Sequence, residues 1–129
     1  MCIRDRLIKS VLEDSSKSVY QGKIFVNSDA QKTDGYQLSK AILLNKSSEF
    51  NAKPELEIYA DDVKCSHGSA SGSLNEDSIF YLMSRGLNRI DAEKLLIKGF
   101  LQDVIETITN EEIKKYLLNK LTILLNEYR

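Results

Sequence analysis

The feature that most constrains this chain is a change of hydropathy period at Ser73. Before it, short apolar runs are broken by Gly, Asn, Asp, Ser and the single Pro54; after it, long runs follow helical spacing without proline. A period of two marks half-buried strands and a period near 3.6 marks amphipathic helices, so the expected architecture is mixed, β first and α second. In "SVYQGKIFVN", Tyr20, Gly22, Ile24 and Val26 alternate with Gln21, Lys23 and Phe25. "AILLN" and "ELEIYA" continue the style, the latter with Leu56, Ile58 and Ala60 on one face and Glu55, Glu57 and Tyr59 on the other. "NSDAQKTDG" and "NKSSEFNAKP" read as loops of turn-forming residues, and no fixed internal repeat length is visible.

About three helices are expected after Ser73. Ser73 with Glu76 reads as a capping box for a first helix through Ile79, Phe80, Leu82 and Met83, stopped at Gly86. A second can start at Asn88, with Ala92, Leu96, Phe100, Val104 and Ile108 recurring every four residues. Thr109 with Glu112 opens a third, whose Ile113, Leu117, Leu121, Leu124 and Tyr128 form another stripe. A Leu-rich stripe is most often just core, but Leu118 and Leu125 make this one wide, and extra apolar width on a last helix is a way to keep surface for a partner.

Composition narrows the function classes. The 18 basic and 19 acidic residues are scattered, with no basic block, which argues against a nucleic-acid partner. No apolar run approaches a membrane span and no signal-peptide core is visible, so a cytoplasmic protein is expected. Two cysteines make neither a disulfide framework nor a CxxC knuckle. There is no GxxxxGK[ST] loop to cradle nucleotide phosphates, so the chain is not expected to be an ATPase.

The stretch that carries chemistry is "ADDVKCSHGSASG", where Cys65 and His67, the only histidine, stand two residues apart ahead of a Gly/Ser turn. In an extended strand they point to one face with about 6.6 Å between Cα atoms, a spacing suited to two ligands of one metal centre. Two ligands do not close a cluster site, which ordinarily takes four. A Cys–His hydrolase fits less well, because no third residue is available to orient the pair. Val63 shares that face, so Cys65 as core filler and Cys65 as functional thiol both stand. A β-rich interaction module without metal chemistry is the alternative from a different class.

"ADDVKCSHG", the helix pieces "IFYLMSRGL" and "AEKLLIKGF", and upstream "YQGKIFVNSDAQKTDGYQLSKAILLN" resemble the C-terminal end of the SufD branch of the SufB/SufD family, part of the SUF iron–sulfur cluster assembly system. The resemblance covers about residues 19–129; "MCIRDR" resembles nothing in the family, and Cys2 is given no role. It implies the last coils of a right-handed parallel β-helix over residues 7–72 and a C-terminal helical domain over 73–129. It also implies a non-catalytic scaffold subunit that pairs through its β-helix with a SufB-like subunit and carries a SufC-like ABC-type ATPase on its helices. Phe80, Tyr81, Leu82, Arg85, Gly86, Leu96 and Phe100 are the helix residues it places at that docking surface. A nascent, transient iron–sulfur cluster would form at the SufB interface, with His67 and Cys65 as this side's metal-binding residues, shared with the partner chain.

Overall fold

The computed structural model describes residues 2–128 and divides the chain into two compact units, one up to Gly72 and one from Ser73 onward. The first unit holds five strands, β1 (Ile3–Leu12), β2 (Lys17–Val26), β3 (Asp34–Leu43), β4 (Glu49–Ile58) and β5 (Lys64–Gly72). Odd and even strands part into two parallel sheets, ordered β1-β3-β5 and β2-β4. The chain thus crosses from one sheet to the other at every connection. Each strand pairs with the one two places on: Ile3 lies beside Asp34, Lys17 beside Glu49 and Asp34 beside Lys64, offsets of 31, 32 and 30 residues. This is a structural repeat that the sequence does not display as a residue repeat.

The corners obey the same offset. Asp14 N–H donates to Asn45 Oδ1 at 2.7 Å and Ser47 Oγ donates to the Asp14 carbonyl at 2.6 Å. On the other side Asp62 N–H donates to Gln31 Oε1 at 2.9 Å. Asp14 adopts the left-handed region (φ 55°), which short polar side chains tolerate.

The sheets face each other across a narrow interior. In β2 the inward residues are Ser18, Tyr20, Gly22, Ile24 and Val26, as the alternation predicts. In β3 they are Gly35, Gln37, Ser39 and Ala41, while Tyr36, Leu38 and Ile42 lie on the opposite face. The more apolar face of β3 is therefore not the buried one. Two expected loops also shrink. Asp34 and Gly35 begin β3, and Glu49–Pro54 of "NKSSEFNAKP" belong to β4. Pro54 is tolerated because β4 pairs only with β2 and its other edge is free. Leu56 and Ile58 share a face with Phe50 and Ala52 but are 36% and 38% exposed, because that edge leaves them uncovered.

The second unit is three helices, α1 (Glu76–Ser84), α2 (Arg89–Ile105) and α3 (Glu111–Glu127). Each begins at an asparagine. The side chain of Asn75 accepts from Ser78 N–H, that of Asn88 from Asp91 N–H, and that of Asn110 from both Glu112 and Ile113 N–H. Asn88 is the expected cap. Ser73 and Thr109 are not caps: Asn75 and Asn110 stand closer to the helical apolar residues and take the role. Helix α1 ends where Leu87 N–H returns to the Leu82 carbonyl and Gly86 N–H to that of Met83, with Gly86 at φ 102°. The unit's buried apolar centre is Ile79, Ala92, Ile97 and Leu121. Ile97 is not in the every-four stripe, because the helical period of 3.6 carries a strict four-residue stripe off the buried face, and Ile108 lies beyond the end of α2.

Candidate functional site

Strand β5 is an edge of its sheet, paired with β3 alone, and it spans Lys64–Gly72. The residues after His67 that read as a Gly/Ser turn are therefore extended. Gly, Ser and Ala have low strand propensity, and pairing with β3 overrides it. Register places Cys65 beside Gly35, His67 beside Gln37, Ser69 beside Ser39 and Ser71 beside Ala41. Partners in a parallel pair share a face, so Cys65 and His67 both belong to the inward side. The structure thus puts the two candidate ligands on one face of one strand.

Their surroundings differ. Cys65 is half-buried, and its Sγ packs over the bare Cα of Gly35, 3.5 Å from where a Cβ would stand; Ile24 Cγ2 flanks that point at 3.6 Å. His67 is exposed. The thiol thus has the contacts of a core residue, whereas the imidazole on the same inward face is open to solvent. Among the described residues, no three His, Cys, Asp or Glu side chains gather into a metal site.

Beneath His67 lies a polar interior. Gln37 and Ser39 are both 0% exposed. Tyr20 Oη donates to Gln37 Oε1 at 2.8 Å, and Gln37 Nε2 donates to the Gly22 carbonyl at 3.3 Å. Gly22 is required for this arrangement, since a Cβ there would stand 2.3 Å from Tyr20 Oη and 2.5 Å from Gln37 Oε1. Ser39 Oγ has no hydrogen-bond partner. Tyr20 and Gly22 belong to an alternation visible in the sequence, but nothing there singles out Gln37 or Ser39. The signal that finds them is the 30- to 31-residue register that aligns β3 with β1 and β5.

The helix residues singled out from the sequence do not form one patch. On α1, Phe80 is 74% and Tyr81 56% exposed, while Leu82 is half-buried. Arg85 lies over the Tyr81 ring, 5.3 Å from its centroid, and donates from Nη2 to its hydroxyl at 3.1 Å. Gly86 is the exposed residue of the helix stop. Leu96 and Phe100 on α2 are half-buried, and Leu96 lines a groove with Asp77, Ser78, Tyr81 and Leu82. Helix α3 leaves Ile113, Tyr116, Ile123 and Leu124 between 47% and 65% exposed. Tyr116 and Ile123 lie on the side roughly opposite the buried Leu121, while Ile113 and Leu124 flank it, so α3 carries apolar residues on two faces.

Residues 1–100 match the family described as SUF system FeS cluster assembly, SufBD core domain. The match takes in the opening hexapeptide, which by itself resembles nothing in the family; Ile3–Arg6 are paired with Asp34–Gln37 as the start of β1. The chain is 40% identical over 120 residues to the iron–sulfur cluster assembly protein SufD of Escherichia coli, covering 93% of this chain and 28% of that protein. It is 42% identical over 109 residues to the chloroplastic protein ABCI7 of Arabidopsis thaliana, covering 84% of this chain and 23% of that one. To the SufD of Bacillus subtilis it is 34% identical over 109 residues, 84% of this chain and 25% of the relative. The chain spans about a quarter of the length of these relatives. On the match and on these identities, the chain belongs to the SufB/SufD family of SUF iron–sulfur cluster assembly proteins.

Proposed function

We propose that the chain is the C-terminal part of a SufD-type scaffold subunit that works in the cytoplasm and lends ligands to a cluster while it is being built. The sheets over residues 7–72 are the last coils of a right-handed parallel β-helix, and residues 73–129 are a helical domain that carries a SufC-type ATPase. The observation that supports this best is the placement of Cys65 and His67 on one face of β5, the edge strand of its sheet. A thiolate and an imidazole suit iron, and a cluster ordinarily takes four ligands. A SufB-type partner at the β-helix supplies the others. The cluster is cargo, held until it passes to an acceptor protein.

Within the pair the roles divide. His67, exposed, offers an imidazole nitrogen to the cluster or carries a proton during its assembly. Cys65, packed against Gly35 and Ile24, serves the strand's packing first and ligation second. On the helices, Phe80, Tyr81 and Arg85 offer exposed aromatic and guanidinium surface of the kind enriched at interface centres, with Leu82, Gly86, Leu96 and Phe100 shaping it.

The test uses the complete subunit with its SufB- and SufC-type partners. Reconstitution with iron and sulfide is expected to give iron–sulfur absorbance in the assembled complex. A complex that forms without ever holding a cluster returns the chain to a purely structural interaction module. Deleting residues 73–129 is expected to abolish ATPase capture and spare SufB-type pairing. Retention of the ATPase by that deletion moves its docking off the helices.

A further inference from the structure

The seam between α2 and α3 holds a groove that the packing of the helical unit does not fill. On one side stand Leu87 and, at helical spacing along α2, Asp91, Lys94, Leu95 and Lys98; on the other stand Thr122, Leu125 and Asn126 of α3. Its volume is about 270 Å³. Small-molecule sites run from about 300 to 1,000 Å³, so this groove suits inserted side chains better than a whole ligand. The apolar part is leucine throughout: Leu87 and Leu125 are half-buried, and Leu95 is 49% exposed.

The charge beside those leucines is one-sided. Lys94 and Lys98 are one turn apart and half-buried, as lysines are when the stem lies on apolar surface and the ammonium stays in water. Neither forms an ion pair among the described residues, whereas Arg89 in the first turn of the same helix is held by Glu76 and Glu93. The one carboxylate in the lining, that of Asp91, accepts from Asn88 Nδ2 at 2.7 Å in the helix cap. The α3 side contributes no charge. Two uncommitted ammonium groups above leucines are complementary to carboxylates that flank apolar anchors.

We propose that the α2–α3 groove docks an acidic amphipathic helix of another protein. Leucine or phenylalanine anchors spaced three or four residues apart enter between Leu87, Leu95 and Leu125, and flanking carboxylates meet Lys94 and Lys98. This surface is separate from the one assigned to the ATPase, whose groove is lined by Asp77, Ser78, Tyr81, Leu82 and Leu96 and shares no residue with it. The subunit therefore has room for a further partner while the ATPase is bound.

The experiment uses the complete subunit and a dye-labelled designed helix with leucine anchors flanked by glutamates, read by fluorescence anisotropy. A second probe carries lysine in place of every glutamate. The parent is expected to bind the acidic probe at least about tenfold more tightly than the basic one, and less tightly in high salt. The double variant Lys94→Glu with Lys98→Glu is expected to reverse that preference, which a loss of folding cannot do. Leu95→Asp, at an exposed position, is expected to weaken both probes. Bound SufC-type ATPase is expected to leave probe binding unchanged. Equal binding of the two probes, or an unchanged preference in the double variant, overturns the proposal. Displacement of the probe by the ATPase makes the groove part of ATPase docking and overturns it as well. So does self-association in sedimentation that Leu95→Asp abolishes, which gives the groove to a second copy. A complete subunit that binds neither probe and loses thermal stability in Leu95→Asp has the groove covered by its own chain, and that result too overturns the proposal.

Discussion

The two units of this protein are specified over different distances along the chain. In the helical unit every helix start is set by an asparagine bonded to its own first turn, two or three residues away. In the sheet unit the ladders join residues 30 to 32 positions apart, and the corners repeat that separation. Local signals thus define the helices one by one, while a strand such as β3 has its interior face defined only when its neighbours are in place. Single substitutions in the two units should differ accordingly.

The largest effect is expected at Gly22. Its Cβ position is occupied by the Tyr20–Gln37 bond, so Gly22→Val must break that bond or part the sheets. A cost of about 3 kcal/mol is expected from overpacking with a lost buried hydrogen bond. Urea unfolding of the complete subunit measures it, and a neutral substitution would show that the interior polar cluster carries no structural weight.

The caps come next. Asn75→Ala, Asn88→Ala and Asn110→Ala should each cost about 1 kcal/mol and should add, being independent local devices. Asn110 accepts two bonds and should head the series. Strong non-additivity in thermal unfolding would mean that the helices are not locally specified. The smallest effect has the opposite sign. Ser39 is buried with an unpartnered hydroxyl, so Ser39→Ala should be neutral or stabilise by up to about 1 kcal/mol. A loss of that size would show that the hydroxyl is hydrogen-bonded within the intact subunit.

The same contrast explains what could be read without coordinates. Three helices, the cap at Asn88 and the stop at Gly86 are visible because their chemistry lies within a turn of the chain. Ser73 and Thr109 mislead by one or two residues because serine and threonine cap as readily as the asparagines that do the work. In the sheets, β2 alternates visibly, but β3 buries Gly35, Gln37 and Ser39 and turns Tyr36, Leu38 and Ile42 the other way. Hydropathy alone selects the wrong face there. Cys65 and His67 are legible as a pair because strand alternation needs only two residues. The Gln37 amide in register with His67 is not, because it stands 30 residues earlier.

The central claim is that β5 presents His67 as a ligand or proton carrier for a cluster completed by another subunit. Its most direct test is His67→Ala in the complete subunit, purified with the SufB- and SufC-type partners proposed for it and analysed for stoichiometry, ATP hydrolysis, iron, acid-labile sulfide and visible absorbance. His67 is exposed, so on the proposed reading the variant complex should assemble and hydrolyse ATP normally while holding little iron or sulfide. Cys65→Ala should lower cluster content less and act mainly through stability. Parent levels of iron and sulfide in the His67 variant would contradict the account, and a complex that falls apart would make the histidine a structural residue.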